Sequence, residues 1–186
     1  MDLLFWSIVS AIGDIRFWAI ALAALCVLLY VRRPNPSKRV KRAIVILIIT
    51  VAVVSLVAEG LKIAINEPRI CTPCINGLPD GCTGQIGDLL VQADTCPPCN
   101  PYCPNDHYAF PSGHATLSFA VFTAMWLAFP RNRREHVQTL WLFVFPILVS
   151  ASRIVLGVHT LDQVVAGVAL GVAVAIAVFL SFRKFA

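Results

Sequence analysis

Charge is scarce in this sequence. Only 13% of its 186 residues are charged and 58% are hydrophobic, where a soluble domain averages about 25% charged and roughly 45–50% apolar. The shortage argues against an ordinary water-soluble domain. The apolar excess sits in long runs, which a membrane solvent explains better than an oversized core does. No secretory signal is expected either. Met1-Asp2 opens without a basic region, and no small-residue cleavage site follows the apolar stretch. Residues 70–110 hold no Lys or Arg at all. The length suits one domain and is too short for two large ones. The expectation is a single membrane domain over residues 1–186, with an external loop at 70–110.

Five apolar runs are present, at residues 17–31, 43–58, 115–129, 137–158 and 164–182. Several are shorter than the ~20 residues that span the hydrocarbon core, so their flanks are expected to extend the helices. The fourth run is interrupted by Pro146 and by Ser152-Arg153. Residues 3–12 are apolar but too short to span, and read as a short interfacial helix or as half of a broken first helix. The predicted fold is all-α: an integral membrane bundle of five spans plus a short N-terminal interfacial helix, or six helices. Gly167 and Gly171 give the last span a small-xxx-small face suited to close packing.

The basic residues set the orientation. Arg32, Arg33, Lys38, Arg39, Lys41 and Arg42 lie between the first two spans. Arg131, Arg133, Arg134, Arg183 and Lys184 fall at alternate ends of later ones. Five spans bring these 11 of the 15 Lys and Arg residues to one side, which is therefore expected to be cytoplasmic. The clustered charge reads as a topology signal in a multi-pass protein of the cell membrane, and nucleic acid is not an expected partner. Of the four basic residues left over, Lys62, Arg69 and Arg153 lie at the outer ends of the second and fourth spans. Scattered interfacial snorkelling would explain three cations there; so would an anion site.

Two histidine motifs sit at that level. Pro111-Ser112-Gly113-His114 opens the third span. Ser112 is an expected N-cap, and the helix N-terminus behind it favours an anion. Gly113 allows close approach to the backbone, and His114 stands on the first turn. Ser152-Arg153 precedes His159 by an offset that a continuous helix would turn away. The helix is therefore expected to end near Gly157, with His159 in the turn that follows. Arg offers a planar fork of donors for phosphate oxygens, and a neutral imidazole is a competent nucleophile at phosphorus.

Together the stretches read Lys62-x6-Arg69, then Pro-Ser-Gly-His, then Ser-Arg-x5-His. In order and spacing they resemble the three-part signature of the type 2 phosphatidic acid phosphatase superfamily, over Lys62 to about Gly167. The resemblance implies a membrane enzyme that hydrolyses phosphate or diphosphate lipids without a metal or other cofactor. It implies His159 as nucleophile and His114 as the acid that protonates the leaving oxygen. Lys62, Arg69, Arg153 and Ser112-Gly113 are then the cradle for the phosphate oxygens. Two departures stand out. Ile70 follows Arg69 where the family usually has Pro. Gln163 stands where the family has an Asp four residues after the nucleophile, which is similar to dolichyl diphosphate phosphatases and glucose-6-phosphatases. Either Gln163 or Asp162 could reach His159 along a helix. By analogy the expected substrate is a polyprenyl (undecaprenyl- or dolichyl-type) diphosphate, with phosphatidic acid or phosphatidylglycerol phosphate as alternative, and the site faces the extracytoplasmic side.

The outer loop holds Cys71, Cys74, Cys82, Cys96, Cys99 and Cys103 in 41 residues. An external segment with an even number of cysteines is expected to form disulfides. Zinc is the rival, since Cys71-x2-Cys74 and Cys96-x2-Cys99 come near ribbon spacing. The loop joins two site motifs and is expected to roof them. A membrane thiol-disulfide oxidoreductase would account for the Cys-x2-Cys pairs, but not for two histidines and three cations together. A non-catalytic lipid binder would account for Gln163, but not for both histidines.

Overall fold

The apolar runs become helices because a chain in hydrocarbon must satisfy its backbone polar groups internally. The structure, a computed structural model, describes residues 3–32, 37–67, 71, 74–75, 78–79, 100, 103, 108–129 and 132–183. Among them are seven α-helices: α1 (Leu3–Ala11), α2 (Ile15–Arg32), α3 (Lys38–Ile65), α4 (Gly113–Ala128), α5 (Arg133–Thr139), α6 (Val144–Val155) and α7 (Leu161–Arg183). A short antiparallel pair, β1 (Cys74–Ile75) with β2 (Leu78–Pro79), lies in the loop between α3 and α4. Apart from that pair the described elements are helical, and the protein is a multi-pass membrane bundle; the five apolar runs fall in helices except at the ends of the third, at 129, and the fourth, at 156–158.

Three stretches are long and apolar enough to cross a membrane: α3, Arg133–Val155 and Leu161–Phe182. The pair α1–α2 makes a fourth if its 55° bend counts as one broken span. Helix α4 is apolar but has only 16 residues. Within Arg133–Val155 the chain tightens into a 3₁₀ turn at Leu140–Phe143. Pro146 lies just beyond, and its missing N–H removes a bond to that turn, which accounts for the change in winding.

The bundle is arranged for lipid. Large apolar side chains such as Ile20, Leu56, Ile147 and Val165 are exposed on the outside. Thr50, Thr116, Ser118, Ser152 and Gln163 are buried inside. Helix α4 is the centre, packed on α7, α3 and α6. Its closest neighbour is α7, through the two glycines. A Cβ on Gly167 would stand 2.7 Å from the Ser112 carbonyl oxygen, and one on Gly171 would meet the backbone of Thr116 and Ala120. Only hydrogen at these positions lets the two backbones approach so closely. Trp18, Leu47, Val54, Leu117, Val121 and Phe122 form the apolar core beside that contact.

The two ends of the bundle differ. At one end the start of α3, the last turns of α4 and α7, and α5 meet around a cavity of about 460 Å³ lined by Arg39, Arg42 and His136. Arg42 donates there to the Phe182 carbonyl. These are the basic segments expected on one side. The site motifs occupy the other end.

Candidate active site

Lys62 lies in the last turn of α3 and is 8% exposed. Its ammonium donates to Glu59 Oε1 at 2.7 Å. It also lies across the N-terminus of α4, where a Cβ on Gly113 would be 3.4 Å from Lys62 Nζ. A buried ammonium is costly unless an anion accompanies it, and Glu59 supplies one. Ser112 occupies the N-cap position of α4, yet its side chain makes no cap hydrogen bond. Its Oγ is buried and has no hydrogen-bond partner among the described residues. The Ser112 carbonyl accepts from Thr116 N, the first intrahelical bond, and also from Thr116 Oγ1.

His114 stands on the first turn of α4, at the corner between α1 and α2. A Cβ on Gly13 would lie 2.9 Å from His114 Cβ. Gly13, Asp14, Arg16, Glu59, Lys62, Gly113 and His114 help line a cavity of about 410 Å³. Arg153 and His159 do not line that cavity. Arg153, 5% exposed, donates from Nη1 to Ser10 Oγ at 2.5 Å. Gln163 accepts the Ser112 N–H on its backbone carbonyl at 3.0 Å.

Helix α6 ends at Val155, and Gly157 turns the chain with φ +66. That left-handed conformation is inexpensive for glycine. The chain folds back so that the N–H groups of Val158 and His159 both donate to the Arg153 carbonyl, at 3.1 and 3.2 Å. The imidazole of His159 is buried, with Nδ1 at 3.0 Å from Gln163 Oε1. The same oxygen accepts the Thr160 N–H at 3.1 Å. Asp162 is exposed at the start of α7. Gln163, not Asp162, therefore stands against the imidazole.

Several groups escaped the sequence reading, among them Asp14, Arg16 and Glu59 of the cavity wall. Ser10 and Gly13 come from the N-terminal helix and its corner, so α1 contributes to the site as well as lying at its edge. Glu67 lies two residues before Arg69 and accepts from Gln163 Nε2 at 2.5 Å. Its carbonyl also accepts the Ala109 N–H at 2.9 Å. Arg69 itself lies outside the described residues, as do Arg33, Arg131, Lys184, Cys82, Cys96 and Cys99.

The loop's described parts rest on the His159 turn. Cys71 and Cys103 form a disulfide. Asn100 Nδ2 donates to the Leu156 carbonyl at 2.7 Å, and Cys71 packs against the cluster of Trp6, Leu156 and Val158. This pairing takes Cys71 out of the Cys71-x2-Cys74 unit that a zinc ribbon or a redox pair would use.

A membrane-embedded helical bundle with buried cations and two histidine motifs at one end is thus defined. The family model of the PAP2 superfamily matches residues 42–186, and the chain belongs to that superfamily. Lipid phosphate phosphatase 2 of Arabidopsis thaliana is 28% identical over 188 residues, an alignment that covers 91% of this chain and 62% of the relative. The chain therefore spans less than two thirds of that relative's length. A transmembrane PAP2-type phosphatidylglycerolphosphate phosphatase from Bacillus subtilis superimposes with a TM-score of 0.64 at 17% identity, covering 99% of this chain and 78% of the other. LpxE of Aquifex aeolicus superimposes with a TM-score of 0.51 at 18% identity, covering 96% and 85%.

Proposed function

We propose that this protein is a metal-independent lipid phosphatase of the cell membrane that works through a phosphohistidine. The observation that carries the reading is the buried His159 imidazole held through Nδ1 by Gln163, close in the chain and fold to the buried Arg153. With Nδ1 bearing the proton, Nε2 keeps the lone pair needed for attack. Nε2 attacks phosphorus, and the bond from phosphorus to the lipid-side oxygen breaks. His114 supplies the proton to that oxygen. Water then attacks the phosphohistidine and returns its proton to His114. Inorganic phosphate leaves and His159 is regenerated.

Lys62, Arg69, Arg153, the α4 N-terminus and the Ser112 hydroxyl take the charge that builds on the phosphate oxygens. Fixed cations of the chain fill the role that a divalent metal plays in other phosphatases. The substrate class is a polyprenyl diphosphate of undecaprenyl or dolichyl type, a choice that rests on Gln163 in place of Asp. The second reading is a glycerophospholipid phosphate monoester, phosphatidic acid or phosphatidylglycerol phosphate. The structural likeness to the Bacillus subtilis phosphatidylglycerolphosphate phosphatase supports it. The site faces the extracytoplasmic side, opposite the basic end.

The test is phosphate release in detergent with EDTA present, on polyprenyl diphosphate, polyprenyl phosphate, phosphatidic acid and phosphatidylglycerol phosphate. Release that persists in EDTA and is lost in His159→Ala is expected, fastest on the diphosphate. Preference for a glycerophospholipid would select the second reading. No release from any of the four by folded protein would refute both.

A further inference from the structure

We infer that Glu67 is a positioning residue for His159, acting through the side-chain amide of Gln163. The inference rests on the reading of His159 as nucleophile. An amide between two partners can face either way, and its two ends carry opposite hydrogen-bonding character. Here two neighbours settle the direction. Glu67 Oε1, 2.5 Å from Gln163 Nε2, belongs to a carboxylate, which accepts hydrogen bonds when ionised. The Thr160 N–H, 3.1 Å from Gln163 Oε1, can only donate. The nitrogen therefore faces Glu67 and the oxygen faces Thr160 and His159.

The consequence passes to the imidazole. An oxygen 3.0 Å from His159 Nδ1 requires Nδ1 to be the donor, which in the neutral ring leaves Nε2 unprotonated. The carboxylate also polarises the amide, so Oε1 is a stronger acceptor than that of an isolated Gln. Where a family member carries Asp at this place, the charge sits directly against the ring. In this chain the charge lies one amide further out, at Glu67. The Glu67 backbone is fixed as well, because its carbonyl accepts the Ala109 N–H just before the Pro-Ser-Gly-His motif. Glu67 thus ties together the exit of α3, the entry of α4 and the His159 turn.

The experiment varies the hydrogen-bonding character of position 67 and follows kcat, KM and thermal stability in detergent. Glu67→Ala leaves Gln163 Nε2 buried without that acceptor and is expected to lower kcat about tenfold to hundredfold with KM little changed. Glu67→Gln keeps an acceptor and is expected to lose less. Glu67→Lys offers only donors, which turns the amide round, presents Nε2 of Gln163 to the ring and selects the wrong tautomer. It is expected to lose the most. The charge swap is the control for folding. Gln163→Glu alone sets two carboxylates against each other and is expected to be nearly inactive. Adding Glu67→Gln restores an acceptor–donor pair and should recover most of the activity.

A purely structural role would lower thermal stability without following this donor–acceptor order and without rescue in the swap; that result would overturn the inference. So would unchanged kcat in Glu67→Ala and Glu67→Lys while His159→Ala is inactive, which leaves the phosphatase reading intact. Activity surviving in His159→Ala would overturn both.

Discussion

At the scale of the residue, the site depends on which atom faces His159. Gln163 lies four positions on, and its oxygen meets the ring, whereas Asp162 is exposed. Gln163→Ala is therefore expected to lower kcat about tenfold to hundredfold, and Asp162→Asn to change it by less than about twofold. Steady-state kinetics on the purified variants decides this, and the opposite order would transfer the role to Asp162. The contact of His159 and Gln163 was legible in the sequence because it is local, four residues apart, although His159 lies in the turn before α7 and Gln163 reaches back to it from the helix's first turn. Glu67 and Ser10 were not. Glu67 meets Gln163 across 96 positions, and Ser10 meets Arg153 across 143. Pairings at such separations leave no periodic trace. Glu67 did carry one signal, its place inside the Lys62-x6-Arg69 stretch, where a carboxylate among phosphate-binding cations calls for a partner.

At the scale of the element, the glycine face of α7 sets how closely α4 can approach, and so where Ser112 and Gln163 stand. Gly171→Ala forces a methyl group into the backbone of α4. It is expected to destabilise the bundle by about 1–3 kcal/mol, read as a lower unfolding temperature in detergent; an unchanged temperature would mean the helices can separate freely. The small-xxx-small pattern already pointed to close packing, but its partner helix became clear only from the fold. The apolar runs were similarly legible, and Pro146 marked the winding change before it, while the bend between α1 and α2 depends on packing. In the loop, Cys71 and Cys103 hold the segment against the end of α6. Replacing both with Ser should cost about 2–4 kcal/mol of stability while leaving phosphate release measurable at low temperature. Complete loss of activity in a folded double variant would give the cysteines a chemical role and revive the oxidoreductase reading.

At the scale of the whole molecule, opposite ends of the bundle carry opposite assignments. Arg39, Arg42 and His136 gather at one end, and Lys62, His114, Arg153 and His159 at the other. The basic runs made this polarity readable from sequence, because charge placement is a topological signal as much as a local one. With Cys26 replaced by Ala, a cysteine at Ser37 is expected to resist an impermeant maleimide in intact cells, and one at Asp162 to react. The reverse pattern would place the site in the cytoplasm. The central claim is the covalent step at His159. Its most direct measurement is a rapid acid-free quench of the purified protein mixed with lipid carrying a labelled terminal phosphate, followed by mapping of the label. The account predicts acid-labile, base-stable label on His159, absent from His159→Ala and longer-lived in His114→Ala. Steady phosphate release with no label on the protein, and undiminished by His159→Ala, would contradict it.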